Sequence, residues 1–143
     1  VEVQGRYRFS PPLNRSGNLT RRDGRTTKWW LIIECDPDLG RYWRWLYEKH
    51  HHHLRQLQAP LWGAHVSVIR DEEPPNLELW EQAPQPIVTL DYDHEPQETA
   101  DYIWLRVNCE AALDYREALG LPRQPPTPLH LTIGNCKANL PED

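Results

Sequence analysis

The sequence predicts an α+β fold assembled from a duplicated β-α-β unit. Three observations carry that expectation. Short runs rich in aromatic and β-branched residues alternate with stretches of helical periodicity. The two halves align at a constant offset of 74 residues, with Trp30 meeting Trp104, Leu31 meeting Leu105, Cys35 meeting Cys109, Leu39 meeting Leu113, and Ile33 facing Val107. Each half then ends on a strand that alternates a histidine and a hydroxyl with aliphatic residues, "AHVSVI" at 64–69 and "LHLTIG" at 129–134.

The 143 residues are sized for a single domain spanning 1–143. Residues 1–28 carry seven Arg or Lys against Glu2 and Asp23, a local balance of +5 in a chain whose net charge is −5. This stretch reads as a basic N-terminal arm on an acidic body. Such an arm suits a local anionic ligand better than a broad duplex-binding surface, or it is simply solvated.

"KWWLIIEC" (28–35) has the composition of a buried strand. Asp36 offers an N-cap and Pro37 a first helical position. Leu39, Tyr42, Trp43, Leu46, His50, Leu54 and Leu57 then recur at helical spacing until Pro60. "GAHVSVIR" is the next strand and completes a first repeat over 29–70. Asn76 to Gln82 reads as a short helix and "PIVTLDY" (86–92) as a strand. The second repeat, 101–134, runs through the strand "DYIWLRVNC", the helix "EAALDYREAL" ended by Gly120 and Pro122, and the strand "LHLTIG".

Cys35, Cys109 and Cys136 have neither a disulfide-framework count nor metal-knuckle spacing. They read as reduced thiols, the first two as core residues at equivalent sites. No apolar run approaches the roughly 20 residues that span a bilayer. "VEVQGRYRF" lacks the apolar centre of a signal peptide. The expectation is a cytoplasmic protein with no membrane partner. "HHHH" at 50–53 places His50 and His53 one helical turn apart, but no carboxylate or Cys at ligand spacing completes a site. It reads as a surface patch, and neither metal nor cofactor is expected.

In a strand, residues two apart share a face, so His65 with Ser67, and His130 with Thr132, point away from a core filled by Val66, Val68, Leu131 and Ile133. Seven His and ten Ser or Thr give about 0.5 His-x-Ser/Thr matches by chance, and about 0.02 once both interleaved positions must be aliphatic. Two occur. A pseudo-twofold relation between the repeats would bring both polar faces to one cleft. Phosphodiester cleavage needs a base for the attacking hydroxyl and an acid for the departing oxygen. Imidazole, which titrates near ~6.5 when unperturbed, serves as either. The Ser67 and Thr132 hydroxyls would hydrogen-bond the non-bridging oxygens.

From about Trp29 to Gly134 the chain resembles the two-histidine (2H) phosphoesterase superfamily. "RYRFSPP", "KWWLIIECDPDLGRYWRWLY", "LWGAHVSVIRDEEP" and "LHLTIGN", in that order, are similar to the phage anti-CBASS nucleases. The resemblance implies a two-lobed fold with antiparallel sheets flanking a central cleft. It also implies metal-independent cleavage of cyclic di- and trinucleotide messengers, such as cyclic GMP–AMP, at a 3′–5′-linked adenosine. His65, Ser67, His130 and Thr132 match its motifs, with Ser67 where the family often has Thr.

For substrate binding, Tyr7, Phe9, Arg6, Arg8 and Arg15 combine rings with cations in the N-terminal segment. The segment either closes over the site or packs its rings against the body. Trp62, three residues before His65, either borders the cleft or belongs to the core. The expected partner is a cyclic oligonucleotide. Overall acidity disfavours long nucleic acid. The rival functions are a processor of RNA 2′,3′-cyclic ends, against which that acidity argues mildly, and a non-cleaving cyclic nucleotide sponge.

Overall fold

Every strand pairing is antiparallel, and six strands close on themselves. The structure, a computed structural model, describes residues 1–13, 19, 24, 26–52 and 55–136. Its elements are β1 (Glu2–Phe9), β2 (Leu31–Glu34), α1 (Pro37–His50), β3 (His65–Ile69), a 3₁₀ turn (Leu77–Leu79), β4 (Ile87–Tyr92), β5 (Gln97–Thr99), β6 (Tyr102–Asn108), α2 (Glu110–Ala118) and β7 (His130–Asn135). The ring runs β4-β1-β2-β3-β7-β6 and closes where β6 pairs back to β4 through Asp91–Asn108 and Tyr92–Val107. The short β5 pairs with the opening half of β6, Gln97 against Trp104 and Thr99 against Tyr102.

This closure overturns the two-lobed α+β expectation. The two β-α-β runs occur in the expected chain order, but β3 pairs directly with β7 and fuses both halves into one sheet. β4, bonded to β1 on one side and β6 on the other, removes the free edges that separate lobes would keep. Ile33, Val66, Leu105 and Leu131 share one core with Trp43 and Tyr47 of α1, Tyr115 of α2 and Leu119 at its C-terminal cap. The described residues form a small, mostly β barrel with two α-helices among them, not a pair of sheets flanking a cleft.

The basic N-terminal arm is also corrected. Glu2–Phe9 is a barrel strand between β4 and β2, with Gly5 and Tyr7 buried and Gln4 and Arg6 exposed. Period-two alternation outweighs the local positive charge. A side chain on Gly5 would meet Ile33 Cγ2 at 2.3 Å, so the β1–β2 crossing requires glycine there. Arg15, Arg21, Arg22 and Arg25 lie outside the described residues.

α1 begins as the sequence indicates, with Pro37 in the first turn and the Asp36 carboxylate accepting from the Asp38 amide at 2.9 Å. It ends at His50, earlier than the periodicity suggests. His52 takes φ +54, and Gln58 lies beside β7, where it and Asn135 exchange amide hydrogen bonds of 2.8 and 3.0 Å. Leu57, next to this bridge and outside any helix, packs on the core at a spacing that imitates another helical turn in the sequence. Leu54 and His53 lie outside the described residues; His50 is exposed, and His51 stacks on Tyr47 at 4.1 Å. Cys35 and Cys109 are buried, Cys136 half-buried, and all three thiols are free. Among the described residues no helix is long and apolar enough to cross a membrane.

Candidate active site

The β3–β7 ladder builds the site. Val66 and Val68 of β3, and Leu131 and Ile133 of β7, are buried in the core. The pleat therefore turns His65, Ser67, His130 and Thr132 to the other face. The register pairs His65 with Thr132 and Val66 with Leu131. Continued by one step, it sets Ser67 opposite His130. A twofold relation centred between Val66 and Leu131 exchanges the two motifs, and the imidazoles become diagonal neighbours. Diagonal positions on an antiparallel pair lie about 7–8 Å apart, within joint reach of one phosphate.

Both imidazoles are held in the same way. Nδ1 of His65 lies 2.8 Å from the carbonyl oxygen of Gly63, and Nδ1 of His130 lies 2.8 Å from that of Pro128. A carbonyl only accepts, so Nδ1 carries the hydrogen and Nε2 is the basic nitrogen of each neutral ring. Gly63 sits at φ +68, a left-handed conformation that glycine adopts without strain. Each imidazole also meets a tryptophan edge at 5.6 Å, His65 against Trp62 and His130 against Trp104. Trp62 is fixed by donating from Nε1 to the Pro12 carbonyl at 2.8 Å, and Trp104 by donating to Thr99 Oγ1 at 3.0 Å. His65 is buried and His130 half-buried.

These groups open into one cleft of about 410 Å³, within the range of roughly 300–1,000 Å³ typical of ligand sites. His65, Ser67, His130 and Thr132 all line it, together with Arg70, Thr99, Tyr102, Trp104, Thr127 and Pro128. A hollow of about 280 Å³ continues from it past Ser67, Arg70, Thr127 and His130 to Glu72 and Pro125. One cleft thus gathers two imidazoles, two hydroxyls, aromatic side chains and a guanidinium.

The sequence-derived binding residues are placed differently. Trp62 stands behind His65 and does not line the cleft. Tyr7 is buried against Tyr115 at 5.7 Å, and Phe9 packs edge-on to Trp80 at 4.9 Å, so both rings join the body and neither stacks in the cleft. Arg8 shares a cross-strand row with Ile32 and Ser67 but is drawn to Glu34 at 2.7 Å. The cleft instead uses Trp104, Tyr102 and Arg70. Trp104 and Tyr102 stand on β6 out of phase with the core residues Ile103 and Leu105, and that alternation was the signal available for them. The repeat alignment concealed it by equating Trp104 with Trp30, which is buried. No family model, no curated protein and no solved structure matches the chain, so its chemistry is read from the site itself.

Proposed function

We propose that this chain is a two-histidine phosphodiesterase that opens cyclic di- and trinucleotides such as cyclic GMP–AMP without a metal ion. The observation that carries the reading is the β3–β7 register, which sets two His–hydroxyl pairs face to face in one cleft. One Nε2 removes the proton of an adenosine 2′-hydroxyl as that oxygen attacks the neighbouring 3′-phosphate. The other imidazolium protonates the departing 5′-oxygen, leaving a 2′,3′-cyclic end. Water then attacks with the two roles exchanged and gives a linear product with a 3′-phosphate. The Ser67 and Thr132 hydroxyls donate to the non-bridging oxygens, where charge accumulates. Trp104 and Tyr102 offer a base a stacking face.

The motif resemblance to the phage anti-CBASS nucleases supports the same substrate and suggests its setting, a bacterial cytoplasm in which a phage removes an immune messenger. The net charge of −5 favours a small anion at a local site over long nucleic acid. The decisive experiment incubates the protein with cyclic GMP–AMP in chelator, beside His65→Ala and His130→Ala. Cleavage is expected in wild type, with losses of at least ~10²-fold in each variant. Intact ligand recovered after denaturation would make the protein a sponge. Action on RNA 2′,3′-cyclic ends with the cyclic dinucleotide spared would make it an RNA-end processor.

A further inference from the structure

We infer that Arg70 selects ligands with two phosphates over ligands with one, by holding the phosphodiester that is not being cut. The inference rests on the phosphodiesterase reading of the His cleft and adds to it a specificity-determining residue. Arg70 is the guanidinium among the residues that line the cleft, and it borders the adjoining hollow as well. Its Cζ lies 4.6 Å from the centroid of the Trp30 ring. Trp30 is 1% exposed, and its Nε1 donates to Asp71 at 2.9 Å, so the platform under the guanidinium is rigid. A planar fork stacked on an immobile ring is pre-set for bidentate contact with an anion.

The charge around it is equally particular. Arg8, Arg41, Arg55, Arg116 and Arg123 are each committed to a carboxylate, whereas Arg70 makes no ion pair among the described residues. Glu72, the carboxylate bordering the hollow, is held by the buried Arg116 at 2.8 and 3.0 Å. The hollow therefore presents an uncommitted cation. The two imidazoles and two hydroxyls suffice for the phosphate being cut. In a cyclic dinucleotide the second phosphate is tied one ribose away, and the cleft wall beyond Ser67 and His130 is where a fixed cation would meet it. A 2′,3′-cyclic mononucleotide has no second phosphate and gains nothing from Arg70.

The test uses the full chain with His65→Ala as a background in which turnover is slowed at least ~10²-fold. Calorimetry compares dissociation constants for cyclic GMP–AMP and 2′,3′-cyclic AMP with and without Arg70→Gln. The expected result is a loss of about 10-fold or more for the cyclic dinucleotide and less than about 2-fold for the mononucleotide, with an intermediate loss in Arg70→Lys. Equal losses for both ligands, no loss for either, or no binding of cyclic GMP–AMP at all would overturn the assignment. Failure of the underlying reading is distinguishable. If the Arg70 difference holds while wild type cleaves neither ligand, the chemistry is wrong and the clamp stands. If wild type cleaves cyclic GMP–AMP and Arg70→Gln binds it unchanged, the clamp falls alone.

Discussion

His65 and Thr132 are cross-strand partners in the β3–β7 ladder, so each imidazole faces the hydroxyl of the other motif as well as its own two residues along. In the proposed reaction the two motifs would act on one phosphate. Thr132→Val and Ser67→Ala would each remove one of the donors proposed to hold that phosphate. Each is expected to lower kcat on cyclic GMP–AMP by about 10²-fold while KM changes little, because the lost bond strengthens as charge develops. Steady-state kinetics of the two variants checks this, and a rise in KM with unchanged kcat would assign the hydroxyls to ground-state binding.

The proposed mechanism also fixes the form of the pH dependence. With one imidazole acting as base and the other as acid, only the singly protonated pair is productive. The kcat/KM profile is expected to be bell-shaped, with two limbs that are macroscopic properties of the pair. Removing either ring should abolish one limb from the residual rate. A profile that rises to a plateau in wild type would leave a single titrating group and remove the second imidazole from the mechanism.

Trp62 and Trp104 make equivalent edge contacts with His65 and His130, yet only Trp104 lines the cleft. Their substitutions are expected to separate. Trp104→Ala should raise KM by about 10-fold or more through the loss of a stacking face. Trp62→Ala should lower kcat, because it releases His65 from one side while the base site stays intact. Trp62→Phe keeps an aromatic edge and loses only the Nε1 bond to Pro12, so it should recover most of that kcat. Identical KM effects in both alanine variants would place Trp62 in contact with ligand.

The elements of the site were legible in the sequence, and their assembly was not. His-x-Ser and His-x-Thr on alternating strands are local patterns, as are the Asp36–Pro37 helix start and the Gly120 stop, and local sterics decide all of them. The pairing of β3 with β7 is a contact between residues far apart in the chain, and it depends on which strand edges the rest of the molecule leaves open. The alternation in β1 is present, with Gly5 and Tyr7 in phase against Gln4 and Arg6, but the positive charge of residues 1–28 overlies it and reads as a basic arm. Arg70 falls just past the end of β3, where strand periodicity says nothing about direction. Its role emerges only with Trp30 beneath it.

The two buried cysteines supply a test of the core that is independent of catalysis. Burial pushes the Cys35 thiol up to about 11, with Cys109 nearby adding to the effect, and burial also raises the Cys109 thiol. An unfolded thiol ionises near pH ~8.5. Above that value the unfolded chain sheds protons that the native chain retains. The stabilisation is therefore complete below about pH 8.5 and is lost as the pH rises toward 11. Cys35 alone accounts for on the order of 3 kcal/mol across that window. Urea unfolding should show a midpoint that falls steadily over this range in wild type and much less in a Cys35→Ala/Cys109→Ala variant. At pH 8 the native protein should take up iodoacetamide at Cys136 well before the other two thiols, since Cys136 is half-buried and the others are buried. Equal labelling of all three, or an unaltered pH slope in the double variant, would mean that Cys35 and Cys109 are not sealed in a common core.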